Sequence, residues 1–243
     1  MLPYFSVFGF EIYTYPLVLG IAWAVGYHFS EFLIKLKNLN IKNFKLYFAL
    51  IFLMSWLGAK SFFLLTINRE ASEAAFKNTN FWLGGGFVFY GGLIFAIFTT
   101  LVYAKIKSIP IQNFRFCLPV VALGHGLGRI GCMLAGCCYG TVTDCFLSVE
   151  LHGHERHPVQ LYESMGLLIL AYICYRRYKM GRELILFYIV SYSILRFITE
   201  FFRGDMIRGV YSFGLSTSQI ISVVFITLAF VFYLLSKKYP IIK

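Results

Sequence analysis

Apolar residues run along this chain in stretches of about 20, the length a helix needs to cross the hydrocarbon core of a bilayer, and the polar residues gather between them. The stretches lie at roughly 14–34, 46–66, 85–105, 115–137, 160–177, 183–202 and 213–235 and predict seven transmembrane helices. An all-α integral membrane protein is therefore expected, as a single transmembrane domain over 1–243. Its longest connections fall near 67–84 and 138–159.

Composition agrees with that pattern. Of 243 residues, 59% are hydrophobic and only 14% charged, a surplus that one soluble core cannot bury. The net charge of +11 raises the question of nucleic acid, but the basic residues form short clusters between apolar runs and no continuous patch, so no nucleic-acid partner is expected. What the charges do specify is orientation. Fourteen Lys and Arg fall on one side of the predicted spans, at 35–45, 105–115, 176–182 and 237–243, and five on the other. The positive-inside rule then puts the N-terminus outside, the C-terminus in the cytoplasm, and both long connections on the outer face. The first residues lack a basic region before the apolar run, so no cleavable signal is expected and the first span inserts as it stands.

Against this background the polar residues inside spans stand out. The stretch GHGLGRIGCMLAGCCYG, from Gly124 to Gly140, carries His125, Arg129, Cys132, Cys137 and Cys138 among six glycines. On a helix His125, Arg129, Cys132 and Gly136 share one face. An arginine at mid-span costs about 2.5–3.5 kcal/mol on insertion scales and persists where it meets an anion or a water-filled cavity. Arg196 sits at a similar depth in span six, where Tyr192, Arg196 and Glu200 are spaced by four and Arg203 follows one turn later, all on one stripe. Two guanidiniums at one depth suit a lipid phosphate; a structural Arg196–Glu200 ion pair and an Arg203 that snorkels to the interface are the plainer reading.

Between these elements, HPVQLYE opens span five. Pro158 suits a helix start, and Gln160 and Glu163 are expected either as polar neighbours of the arginines or, for Glu163, as a complement to the helix dipole. His157 precedes them. Tyr90 is set among glycines in GGGFVFYGGL, Gly84 to Leu93, where backbone can approach a ligand closely. Tyr15 opens span one. The six cysteines do not follow a zinc spacing such as CxxC with a distant second pair, so their spacing assigns no cofactor and no metal set. Cys117 and Cys174 read as packing residues. For the outer group two arrangements remain open: a disulfide from Cys137 or Cys138 to Cys145, or a thiolate beside Arg129 acting as nucleophile or metal ligand.

These motifs resemble the prolipoprotein diacylglyceryl transferases, bacterial membrane enzymes that move a diacylglyceryl group from phosphatidylglycerol to a lipobox cysteine. GRIGCMLAGCCYG resembles that family's GRxGNFxNGExxG signature, HPVQLYE its HPxQLYE, and RFITEFFRGD its RFxxEFxRxPD. Tyr15, Gly58-Ala59-Lys60, the GGLI after Tyr90 and LSTSQ at 215–219 match further elements in order. The resemblance implies a multi-pass protein of the bacterial cytoplasmic (inner) membrane that takes phosphatidylglycerol or a related anionic phospholipid as donor and the signal peptide of a prolipoprotein as acceptor. It implies catalytic roles for Arg129, Arg196, Tyr90, Cys137 and Glu200. Substrate contacts are implied for Tyr15, His125, Cys132, Gly136, Cys138, Gly140, His157, Gln160, Glu163, Tyr192 and Arg203. Among the positions that depart from the family pattern, Tyr90 replaces a histidine, Cys132 an asparagine and Cys137 a glutamate. Those departures keep alive a different acceptor, a thiol-based redox or metal-handling protein, or a non-catalytic lipid-binding protein on the same fold.

Overall fold

The boundaries of the helices follow from local chemistry that breaks or caps them. In the computed structural model, which describes residues 4–7, 10–78, 81–82, 86–205, 209–211 and 214–238, the main helices are α1 (Thr14–Leu36), α2 (Phe44–Thr66), a short α3 (Arg69–Lys77), α4 (Phe89–Lys107), α5 (Cys117–Ala135), α6 (Val159–Lys179), α7 (Ile185–Thr199) and α8 (Thr217–Lys238). Among the described residues there are also antiparallel hairpins of β1 (Tyr4–Val7) with β2 (Phe10–Tyr13) and of β3 (Val149–Leu151) with β4 (His154–Arg156). The expected span at 85–105 begins only at Phe89, because Gly86 takes φ 75° and leaves the helical region. Its Gly84 and Gly85, like Arg208, lie outside the described residues. The expected span at 115–137 is two structures: a 3₁₀ turn over Ile111–Phe116 and then α5, which stops at Ala135. The expected start at 213 lies outside the described residues, and the helix is described from Thr217. There the Ser216 Oγ accepts from the Gln219 N–H at 3.3 Å and the Gln219 Oε1 from the Ser216 N–H at 2.9 Å, a reciprocal capping box.

Six of the described helical segments are long and apolar enough to cross a membrane, namely Thr14–Leu36, Phe44–Thr66, Phe89–Lys107, Ile111–Ala135, Ile185–Phe202 and Thr217–Ser236. The chain is an integral membrane protein, mostly helical. Helix α6 is long enough as well, but Gln160, Glu163, Ser164, Arg176, Arg177 and Lys179 make it more polar than the other six. The connection at 67–84 holds α3, capped by the Asn68 side chain accepting from the Ala71 N–H at 2.8 Å. The connection at 138–159 holds the β3–β4 hairpin.

Contacts divide the chain into two compact units, residues 15–117 and residues 118–243 with 1–14. In the first, α2 and α4 cross at Gly58 and Gly91; a Cβ built on Gly58 would lie 2.5 Å from the Gly91 carbonyl oxygen, so only glycine permits this approach. Lys60, 1% exposed, donates to the Phe81 carbonyl and lies 4.3 Å and 4.0 Å from the Phe81 and Phe87 ring centres. The Tyr15 ring is 6.1 Å from that of Phe87. Tyr90, at the start of α4, is 42% exposed. In the second unit, α6 packs on α5 where Gly126 meets Leu167 and Leu168, and the Ser164 hydroxyl donates to the Gly126 carbonyl at 2.8 Å. Helix α7 packs against both α6 and α8.

Candidate active site

Four charged side chains from α5, α6, α7 and the 3₁₀ turn that follows α7 converge within the second unit. Arg129 reaches the Glu163 carboxylate with Nη2 at 2.5 Å, and Arg196 reaches the same oxygen with Nη1 at 3.4 Å. Arg196 also pairs with Glu200 at 2.6 Å and donates from Nη2 to the Ser218 hydroxyl at 2.9 Å. Glu163 is 1% exposed, and the arginine side chains only 12% and 10%. The formal charges cancel, two guanidiniums against two carboxylates, which is how the cluster tolerates burial. His125 adds its ring, 5.4 Å from that of Tyr192. The Nε of Arg129 is buried without a hydrogen-bond partner, so this guanidinium keeps a donor in reserve.

Past the end of α5 the chain turns back on itself. Gly136 has φ 74° and Cys138 φ 59°, the left-handed region. The helical face expected to carry His125, Arg129, Cys132 and Gly136 therefore ends one residue early: the helix stops at Ala135 and Gly136 belongs to the turn. The turn is held by a Gln160 Nε2 donating to the Cys137 carbonyl at 2.7 Å and by His152 Nε2 at 2.8 Å from the Gly136 carbonyl. As a result the thiol sulfurs of Cys132, Cys137 and Cys138 all lie within 4.8 Å of one another. All six cysteines are free thiols, and the alternative of a bond to Cys145 is not realised; the Cys145 sulfur instead accepts from the Leu147 N–H at 3.4 Å. Cys138 is held well below the usual thiol range by hydrogen bonds from Cys132 and Cys137, with Arg129 and Arg203 reinforcing the effect. Cys137 is pushed up as the hydrogen-bonding partner of the other two.

Beyond the cysteines, main chain ties three segments together. Gly140 bridges to Arg203, Gly204 N–H donates to the Tyr139 carbonyl at 3.0 Å, and His157 N–H donates to the Thr141 carbonyl at 3.0 Å. A Cβ on Gly204 would lie 2.5 Å from the Gly140 oxygen, which explains glycine at that contact. The His157 Nδ1 is 3.2 Å from the Tyr162 hydroxyl, and Arg156 lies 4.7 Å from the Tyr139 ring centre.

Most of the expected residues thus come together, with differences. Tyr192, Arg196 and Glu200 share their stripe, but Arg203 does not join it. After the 3₁₀ turn Glu200–Phe202 the backbone at Arg203 is extended, and its guanidinium grips Asp205 through two bonds, at 2.8 Å and 2.5 Å. Nor does Arg203 snorkel, since it is buried. Glu163, expected as a neighbour or a dipole complement, is the hub of the ion network. Ser218, Asp205 and His152 were not singled out by the sequence; for Asp205 the Arg-Gly-Asp spacing was the available signal. Tyr15 and Tyr90 belong to the unit 15–117.

The chain matches the family described as prolipoprotein diacylglyceryl transferase over residues 3–235. It is 32% identical to a phosphatidylglycerol–prolipoprotein diacylglyceryl transferase of Campylobacter hominis, over 95% of this chain and 88% of that protein. A transferase of the same name from Finegoldia magna is 29% identical over 91% of this chain and 90% of its own, and one from Clostridium tetani is 41% identical over 58% and 60%. With the family's match extending over nearly all of the sequence, this chain belongs to the prolipoprotein diacylglyceryl transferase family.

Proposed function

We propose that this protein transfers a diacylglyceryl group from phosphatidylglycerol to the cysteine thiol of a prolipoprotein signal peptide, in the bacterial inner membrane. The observation that carries this reading is the meeting of Arg129 and Arg196, from two separate membrane helices, on one buried carboxylate. Glu163 and Glu200 hold the guanidiniums in place and neutralise them; both are positioning residues here. The donors left over, beginning with the Arg129 Nε, are then available to a phosphate. In the reaction a sulfur–carbon bond forms at the terminal glyceryl carbon, the carbon–oxygen bond to phosphate breaks, and glycerol phosphate departs with the electron pair. Negative charge grows on that phosphate as the bond breaks, and preorganised guanidiniums in a water-poor site stabilise it without reorganising.

Seven spans with the N-terminus outside complete the reading. Helix α6 has 21 residues, about 31 Å at the helical rise and enough for the hydrocarbon core. Its polar residues are tolerated because Gln160, Glu163 and Ser164 are all hydrogen-bonded or ion-paired inside the bundle. The basic asymmetry, fourteen against five, supports the orientation.

The test is glycerol phosphate release, followed by mass spectrometry, from purified protein in phosphatidylglycerol vesicles with and without a lipobox peptide. Release that requires the peptide, and a peptide heavier by one diacylglyceryl group, are expected. No release with the peptide present would reject the transferase reading.

A further inference from the structure

The proposed reaction leaves one step without an agent. A thiol with an ordinary pKa near ~8.5 is mostly protonated at neutral pH and must lose its proton to attack carbon. The carboxylates of the cluster, Glu163 and Glu200, are already engaged by guanidiniums. What lies beside them instead is the group of three cysteines. We infer that Cys132, Cys137 and Cys138 form a tri-thiolate site for a zinc ion, with the fourth coordination position open to the thiol of the acceptor; the second half of this inference rests on the transferase reading.

Geometry is the first support. Three thiolates on one zinc at about 2.3 Å stand about 4 Å apart, and here the three sulfurs lie within 4.8 Å of one another, so small side-chain rotations close the set. The second is construction. The cysteines are five and six residues apart, and only the turn through Gly136 and Cys138 brings the later two back over Cys132. Gln160, from α6, pins that turn at the Cys137 carbonyl. The third is charge: three thiolates on a divalent ion leave one net negative charge, and Arg129 stands one helical turn before Cys132 on α5. Access is the fourth. Cys137 is exposed while Cys132 and Cys138 are half-buried, so the site is open on one side. Three protein ligands with an open fourth position is the pattern of a catalytic zinc, whereas a structural zinc is closed by four.

The chemistry fits the reaction. On binding, the acceptor R–SH gives its proton to water and coordinates as R–S⁻. Its sulfur lone pair forms the new bond to the glyceryl carbon, the carbon–oxygen pair leaves with the phosphate, and the thioether formed is a weak ligand that dissociates. No electron is gained or lost by the metal. Zinc acts by holding a thiolate at neutral pH, the task for which no carboxylate of this cluster is available.

The full-length protein, purified in detergent under anaerobic conditions and stripped with a chelator, is titrated with Co²⁺ as a spectroscopic stand-in for Zn²⁺. A single equivalent with a sulfur-to-cobalt charge-transfer band and tetrahedral ligand-field bands is expected, and the latter should shift on adding a lipobox peptide. Cys132→Ser, Cys137→Ser and Cys138→Ser should each weaken Co²⁺ binding by more than about a hundredfold; Cys145→Ser should leave it unchanged. Absence of the sulfur band, its survival in all three serine variants, or equal loss in Cys145→Ser overturns the site. Full transfer by metal-free protein overturns the activation step and leaves the transferase reading intact. No transfer by either form, with Co²⁺ bound, removes the transferase reading and the activation step together.

Discussion

At the scale of single residues, Glu163 has the largest effect for its size. One of its oxygens accepts from two guanidiniums, so removing it leaves two cations facing each other in a buried site. Glu163→Ala should destabilise the protein by about 3–5 kcal/mol, read as a lowered Tm in detergent; a change under about 1 kcal/mol would mean that the cluster is solvated rather than buried. The arginines behave differently. Arg129→Ala and Arg196→Ala should lower turnover by at least about a hundredfold while the protein still inserts, and lysine should restore little, because an ammonium lacks the planar fork. Wild-type turnover in both alanine variants would remove the phosphate-holding role. The arginines were legible in the sequence because a cation in an apolar run has few innocent explanations. The hub was less so: Glu163 near a helix start reads as readily as a dipole complement. The three cysteines stand out in the sequence as a group at the outer end of the span, but their approach to within 4.8 Å is not legible there, because the turn that assembles them depends on a left-handed Cys138, which no residue preference announces.

At the scale of elements, the helices were read well from apolar length, and their ends poorly, because glycines and caps decide the ends. The α2–α4 crossing shows the same limit. Nothing in the apolar pattern marks Gly58 and Gly91 as a contact, yet each occupies the space where the other's Cβ would go. Gly91→Val should force the helices apart and cost about 1–3 kcal/mol, visible as a lower Tm. Gly20, which has open space around the position of a Cβ, should accept alanine with no such loss. An unchanged Tm in Gly91→Val would show that the two helices slide freely.

At the scale of the whole molecule, the charge pattern bears on which end of each helix faces the cytoplasm. On the proposed orientation, a reporter fused after Lys243 should be cytoplasmic and one placed within 140–156 extracytoplasmic, in line with fourteen basic residues against five. Opposite labelling would invert the reading, with the cysteine turn on the wrong side for a secreted peptide. The ion network adds a consequence for biogenesis. Arg129 lies in α5, but Glu163 is made 34 residues later and Arg196 and Glu200 later still. During synthesis α5 must therefore enter the bilayer carrying a cation that has not yet met its counter-charge. Nascent chains released before Val159 should hold α5 in the membrane less well than those extended past α6, so the order of translation itself determines when the fourth span becomes secure.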